Sequence, residues 1–261
     1  MRGFILIIAL LFFPAVNAKT IIIGALIYDP PFEIPADKKA HFFGFDIDLM
    51  NEICKRIHAE CEFKGLTFEQ LLKQLLEEKI DLAVGSITIT PEREELFLFS
   101  LPYFSSTGQY ITYSHSPINS IDDIYNKKVG IEKGTVFKAV TLERFNNKVQ
   151  IIEYPTLPEV FQALEEGKID VLIADEETAK YWMVNSDEQF KLLGNPIPIG
   201  IGYGIMASKK SQTLIQQINK ALTDMEDDGT YLKIYRRYFM PMSELEKKNN
   251  KATEIGFRLK I

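Results

Sequence analysis

A chain of 261 residues is long for one compact core and fits one large or two ordinary domains. With 46% apolar and 25% charged residues it is neither disordered nor fibrous. The formal net charge of -6 argues against nucleic acid or an anionic membrane as partner, although a single cleft can differ from the surface as a whole.

The first residues read as a targeting segment, not as part of the fold. Arg2 gives a small positive start, residues 4–13 form a short apolar run, and Val16-Asn17-Ala18 puts small residues where a signal peptidase cuts. The run is shorter than the roughly 20 residues that a bilayer span takes, so cleavage after Ala18 is expected rather than an uncleaved anchor. No cysteine lies near that site, and no lipid anchor is expected. Export would place the two cysteines in an oxidising setting. Cys54 and Cys61 on one continuous helix would stand roughly 10 Å apart, too far for a disulfide. A bridge therefore requires the helix to stop between them, and His58-Ala59-Glu60 permits that. The reading favours a structural bridge over two free thiols or a redox pair, because the Cys-x-x-Cys spacing is missing.

From Thr20 the chain reads as a β-branched strand to Leu26, ending at Tyr28-Asp29-Pro30-Pro31-Phe32, a turn that Pro-Pro stiffens. Ile47, Leu49, Met50, Ile53 and Ile57 make an amphipathic helical stripe, followed by a strand from Cys61. Thr67, three before Gln70, forms a capping box for a second helix whose buried face is expected to be Leu71, Leu72, Leu75 and Leu76.

Residues 81–90 read as an apolar strand on which Ser86 and Thr88 project from one side by alternation. Thr90 suits an N-cap and Pro91 the first position of the next helix. That sets Arg93 in the first turn, where the helix dipole slightly disfavours a cation, so helix stability does not account for it. Two hydroxyls, free N–H groups and a guanidinium fork would suit a carboxylate. The plainer alternative pairs Arg93 with Glu94, Glu95 or solvent.

Strand alternating with helix indicates an α/β fold with largely parallel sheets, whose ligands bind beyond the carboxyl ends of the strands. The second half echoes the first. Asp81-Leu82-Ala83-Val84 and Asp170-Val171-Leu172-Ile173 both follow an amphipathic helix, and aligning Asp81 with Asp170 sets Ser86 against Asp175. Two such lobes would face each other across a crevice, with Arg93 on one wall and the acid Asp175 on the other. A molecule with an anion and a cation on adjacent atoms fits that pair, and an α-amino acid is the simplest. The extended segments 108–112 and 202–207 are expected to cross between lobes and allow hinge closure. The expected division is lobe one over residues 19–108 and 205–243, lobe two over 109–204, and a charged tail over 244–261.

Gly44-Phe45-Asp46-Ile47-Asp48-Leu49, Cys54-Lys55-Arg56 with Cys61, Lys79-Ile80-Asp81, Ile89-Thr90-Pro91-Glu92-Arg93 and Asp228-Gly229-Thr230-Tyr231, taken in this order and spacing, resemble the periplasmic solute-binding proteins of polar amino-acid ABC transporters. The resemblance is nearest to the lysine/arginine/ornithine-, histidine- and arginine-binding members. It implies a two-lobed binding-protein fold, a monomer in the periplasm, and a membrane permease as partner. It also implies a disulfide between Cys54 and Cys61. By the same resemblance Arg93 would take the ligand α-carboxylate with Ser86, Thr88 and Thr135, Asp175 the α-ammonium, and Phe68 would stack on the side chain. The pattern is broken where Leu26 replaces an acid, where Asp29 stands in place of an aromatic with Tyr28 one position earlier, and where Val136 replaces a threonine. Asp29 is the candidate for restoring the negative charge.

Other chemistry is poorly supported. His41, His58 and His115 lack ligand spacing, so no metal is expected, and no cofactor motif such as Gly-x-Gly-x-x-Gly or a P-loop is found. The alternative is an enzyme on the same fold, a cyclohexadienyl or arogenate dehydratase in which Glu132 or Asp175 would protonate a leaving hydroxyl. A sensor module is the third reading.

Overall fold

The computed structural model describes residues 20–36 and 41–240; the expected signal segment, residues 1–18, and the expected tail, residues 244–261, lie outside the described residues. The first half comprises β1 (Thr20–Leu26), a short ribbon of β2 (Ile34–Pro35) and β3 (Phe42–Phe43), then α1 (Phe45–Arg56), β4 (Glu60–Leu66), α2 (Phe68–Leu76), β5 (Leu82–Ala83), α3 (Pro91–Leu96) and β6 (Phe97–Phe99). The second half comprises β7 (Thr107–Tyr113), a 3-10 turn at Ile121–Ile124, β8 (Lys128–Glu132), α4 (Phe137–Arg144), β9 (Gln150–Tyr154), α5 (Leu157–Glu165), β10 (Val171–Asp175), α6 (Glu176–Asn185) and β11 (Phe190–Pro198). The chain closes with β12 (Met206–Ser208), α7 (Gln212–Asp227) and α8 (Thr230–Phe239).

Two five-stranded sheets result, in the orders β4-β1-β5-β12-β6 and β11-β7-β10-β8-β9. Read from the opposite edge, the second repeats the first: a parallel trio, one antiparallel strand, then an outer strand antiparallel to it. The sequence echo is thus an echo of topology. The strand β7 belongs wholly to the second sheet, so the first passage between sheets precedes residues 108–112 instead of using them. The return passage contains Tyr203, which bridges to Thr88 and Phe104 before β12 rejoins the first sheet.

The helices follow the apolar patterns that predict them. The Thr67 hydroxyl accepts from the Gln70 N–H and the Gln70 side chain accepts from the Thr67 N–H, completing the capping box of α2. Phe68, Leu71 and Leu75 are buried beneath it, each such side chain contributing about 1.5–3 kcal/mol by leaving water. Leu76 departs from expectation at 57% exposure. It lies about 100° round the helix from Leu75 and misses the sheet. Gly24 of β1 accommodates this packing, since a Cβ there would stand 2.6 Å from Leu71 Cδ2. In α7 and α8, Ile218, Leu222, Met225 and Ile234 join one core with Ile47, Met50 and Ile53 of α1. The chain has therefore returned to pack on its first half. Cys54 and Cys61 form a disulfide with Cα atoms 6.2 Å apart, joining the last turn of α1 to β4. Among the described residues, no helix is long and apolar enough to cross a membrane.

Candidate functional site

One cavity lies where the carboxyl ends of strands from both sheets face each other, as parallel α/β sheets dictate. It holds about 410 Å³ of atom-free space including its mouth, and its lining includes Asp29, Phe68, Ser86, Thr88, Arg93, Thr135 and Asp175. Seven of the eight residues singled out from sequence thus converge. The eighth, Tyr28, is outside the lining and stands edge-on to Trp182, with ring centroids 6.1 Å apart. Glu132 and apolar side chains, Leu26, Val136, Phe137 and Leu157 among them, make up the rest of the lining.

Ser86 and Thr88 reach the cavity by a route that strand alternation does not describe. The strand stops at Ala83, and Gly85 (φ 135°) and Ser86 (φ 43°) turn the backbone sharply. Gly85 is needed there, because a Cβ would also meet Leu26 Cγ at 2.7 Å. The turn aims the Ser86 N–H at Asp46 Oδ2 (3.2 Å) and its hydroxyl into the cavity. Thr88 Oγ1 lies 2.8 Å from Ser106 Oγ.

The Arg93 backbone N–H donates to Thr90 Oγ1 at 3.4 Å, as the cap requires. Its guanidinium donates to Thr88 O at 2.8 Å and to Gly134 O at 3.3 Å, and lies over the Phe68 ring, 4.9 Å from the centroid. The expected alternative of pairing with Glu94 or Glu95 is not what forms. Burial lowers the Arg93 pKa to about 10, with Asp175 acting in the opposite direction. Two of its five donors go to backbone carbonyls, so the fork keeps donors for an anion.

Acids dominate the rest of the site. Asp175 Oδ2 lies 3.0 Å from Ser86 Oγ and Asp175 Oδ1 accepts from the Tyr203 hydroxyl at 2.5 Å. Asp29 Oδ2 lies 2.8 Å from the same Ser86 Oγ, and Asp29 Oδ1 accepts from Thr178 Oγ1 at 2.8 Å. A hydroxyl has one proton and cannot donate to both carboxylates. Ser86 therefore donates to one of the two acids, and the other is satisfied there only by carrying a proton of its own. Burial, then the charge of Asp29, raises Asp175 to about 8, and burial raises Asp29 to about 6. Glu132 is driven well above the ordinary range by burial and by Asp29 and Asp175. Behind Ser86, the wholly buried Glu33 meets Asp46, whose Oδ2 also accepts from Tyr103 at 2.8 Å. Both Glu33 oxygens and Asp46 Oδ1 are buried without a hydrogen-bond partner among the described residues, and burial with the Asp46 charge pushes Glu33 strongly upward.

Sequence reading missed Thr178, Tyr203 and the Glu33–Asp46 pair as parts of the site and gave Glu132 only an enzymatic role. A signal for Glu132 was present: it ends a parallel strand, where ligands bind. Nothing local marks the others, because their burial depends on contacts far along the chain.

This architecture and cleft are those of a two-lobed binding protein. The chain belongs to the bacterial extracellular solute-binding proteins, family 3, whose model matches residues 21–241. It is 31% identical over 229 residues to the lysine/arginine/ornithine-binding periplasmic protein of Escherichia coli (strain K12), covering 85% of this chain and 88% of the relative. Among solved structures, an arginine 3rd transport system periplasmic binding protein from Legionella pneumophila is 41% identical with a TM-score of 0.82, covering 85% of this chain and 100% of that one. An ancestral arginine-binding protein bound to arginine is 32% identical with a TM-score of 0.76, over 84% and 98% of the two chains.

Proposed function

We propose that the protein is the periplasmic binding component of an amino-acid ABC importer and that its ligand is a basic L-amino acid. Arg93 grips the α-carboxylate with the Ser86, Thr88 and Thr135 hydroxyls nearby, Asp175 receives the α-ammonium, and the Phe68 ring faces the side chain. The carrying observation is the make-up of the cavity wall: among the described residues three acids, Asp29, Glu132 and Asp175, line it against one basic side chain, Arg93, and a cationic ligand would displace the protons that burial leaves on them. A zwitterion satisfies one acid and one arginine, and the surplus acids favour a ligand with a second positive charge. Asp29 restores negative charge where Leu26 cannot.

Closure by hinge motion is supported by polar pairs that span the cleft. Asp29 meets Thr178, Arg93 meets Gly134 O, and Lys133 pairs with Glu69 at 2.9 Å. The lobe division of this reading is 19–108 with 205–243 against 109–204; sheet membership of the described strands supports it except at Thr107 and Gly108, which lie in β7 of the second sheet. The relatives are solute-binding proteins, which does not favour the dehydratase-like alternative. A monomer that docks on an inner-membrane permease, released from its signal segment after Ala18, completes the reading.

Titration calorimetry against arginine, lysine, ornithine and histidine tests it. At least one should bind, and Arg93→Ala should cost about 2–5 kcal/mol, because the ligand carboxylate loses its partner in a desolvated site. Undiminished affinity in that variant, or no binding of any amino acid by the wild type, would overturn the assignment.

A further inference from the structure

Glu132 is only 8% exposed and lines the cavity, yet the α-amino and α-carboxyl contacts do not use it. The groups that face it are unevenly signed. Asp29 from the turn after β1, Asp175 at the end of β10 and Glu159 of α5 all act on it as like charges, and the Phe68 N–H at the start of α2 is what favours its charged form. Arg93, on α3, lines the same cavity, but the acids whose charge acts on it are Asp175 and Glu92. The neighbouring Lys133 turns to Glu69 on the half-exposed rim. Among the described residues no cation stands within ion-pair distance of Glu132.

The two surplus acids are not equivalent. Both oxygens of Asp29 are engaged, one by Ser86 and one by Thr178. Among the described residues no side-chain hydrogen bond takes up the Glu132 carboxyl as those of Asp29 are taken up, and the same lining includes the apolar Val136, Phe137 and Leu157. Such a wall suits a methylene stem with a charge at its tip. We propose that Glu132 is the specificity-determining residue of the cleft, pairing with the guanidinium or ammonium at the end of the ligand side chain. This rests on the amino-acid reading above and assigns the selective contact to lobe two, where the family resemblance places none.

The competing role is mechanical: Glu132 could serve only to hold α2 across the cleft through the Phe68 N–H. That role would affect charged and neutral ligands equally, and the selective role would not. Calorimetry of the wild type and Glu132→Gln with arginine and with citrulline separates them, since citrulline has a neutral ureido group in place of the guanidinium. The wild type should prefer arginine, and the preference should fall by about tenfold or more in Glu132→Gln. Glu132→Asp, which keeps the charge on a shorter stem, should lose only part of the preference, and that intermediate value carries the test if the glutamine variant folds poorly. Parallel losses for both ligands, or an arginine preference unchanged in both variants, would overturn the assignment of Glu132 alone. A wild type that binds neither arginine nor any other amino acid would instead overturn the reading on which it rests.

Discussion

Asp175→Asn should stabilise the ligand-free protein, and increasingly so as the pH rises. The folded chain holds a proton on Asp175 up to about pH 8, whereas the unfolded chain releases it near 3.8. In that window the native state binds more protons than the unfolded state, so this group's contribution to stability is complete below about pH 4 and declines as the pH climbs toward 8. At about 1.4 kcal/mol per tenfold in proton affinity, the ceiling at pH 7 is roughly 4 kcal/mol. The realised figure is smaller, about 1–3 kcal/mol, because Asp175 is partly accessible through the cavity and shares the Ser86 hydroxyl with Asp29, so the two titrate as a pair. Asparagine keeps the shape and never ionises. Urea denaturation at pH 4, 6 and 8, followed by circular dichroism, should show the two proteins nearly equal at pH 4 and the variant ahead by pH 8. A gap that stays flat, or a variant that is less stable at pH 8, would refute the claim that burial and Asp29 hold Asp175 protonated.

Two other outcomes follow from the geometry. Thr178→Val removes the hydroxyl that reaches Asp29 across the cleft at 2.8 Å, and ligand affinity should fall about fivefold, the worth of one buried hydrogen bond; unchanged affinity by titration would mean the contact does not hold the closed form. Replacing Cys54 and Cys61 by serine opens a closure seven residues apart in sequence and should cost about 2 kcal/mol in thermal or urea unfolding while binding stays as it was, because the bridge lies at the α1–β4 junction, away from the cavity lining. Loss of binding in a folded double variant would contradict that separation.

The parts of this molecule set by nearby residues could be read from sequence. The strand β1 spans Thr20–Leu26 as its β-branched run indicates, and the Thr67–Gln70 box opens α2 where its spacing puts it. The echo between residues 81–84 and 170–173 makes Ser86 and Asp175 equivalent positions of the two halves; their direct approach, at 3.0 Å, is not something the alignment itself indicates. What failed was local geometry that glycine controls and burial that distant elements control. Gly85 ends β5 early, so Ser86 and Thr88 reach the cavity through a left-handed turn. Tyr28 reads as a ligand aromatic but stands edge-on to Trp182, and Glu132 reads only as a proton donor for the enzymatic alternative, because the Asp29 and Asp175 charges that act on it come from distant parts of the chain.

The two sheets differ in how their strands are supplied. The second draws all five from one unbroken stretch, Thr107 to Pro198, whereas the first leaves the flank of β5 vacant until Met206–Ser208 is delivered more than a hundred residues later. A chain that emerges from its N-terminus therefore presents a raw, aggregation-prone seam early and can seal it only near the end of its synthesis. The later-made sheet is the one equipped to mature first, and the earlier-made one must wait for its own last strand.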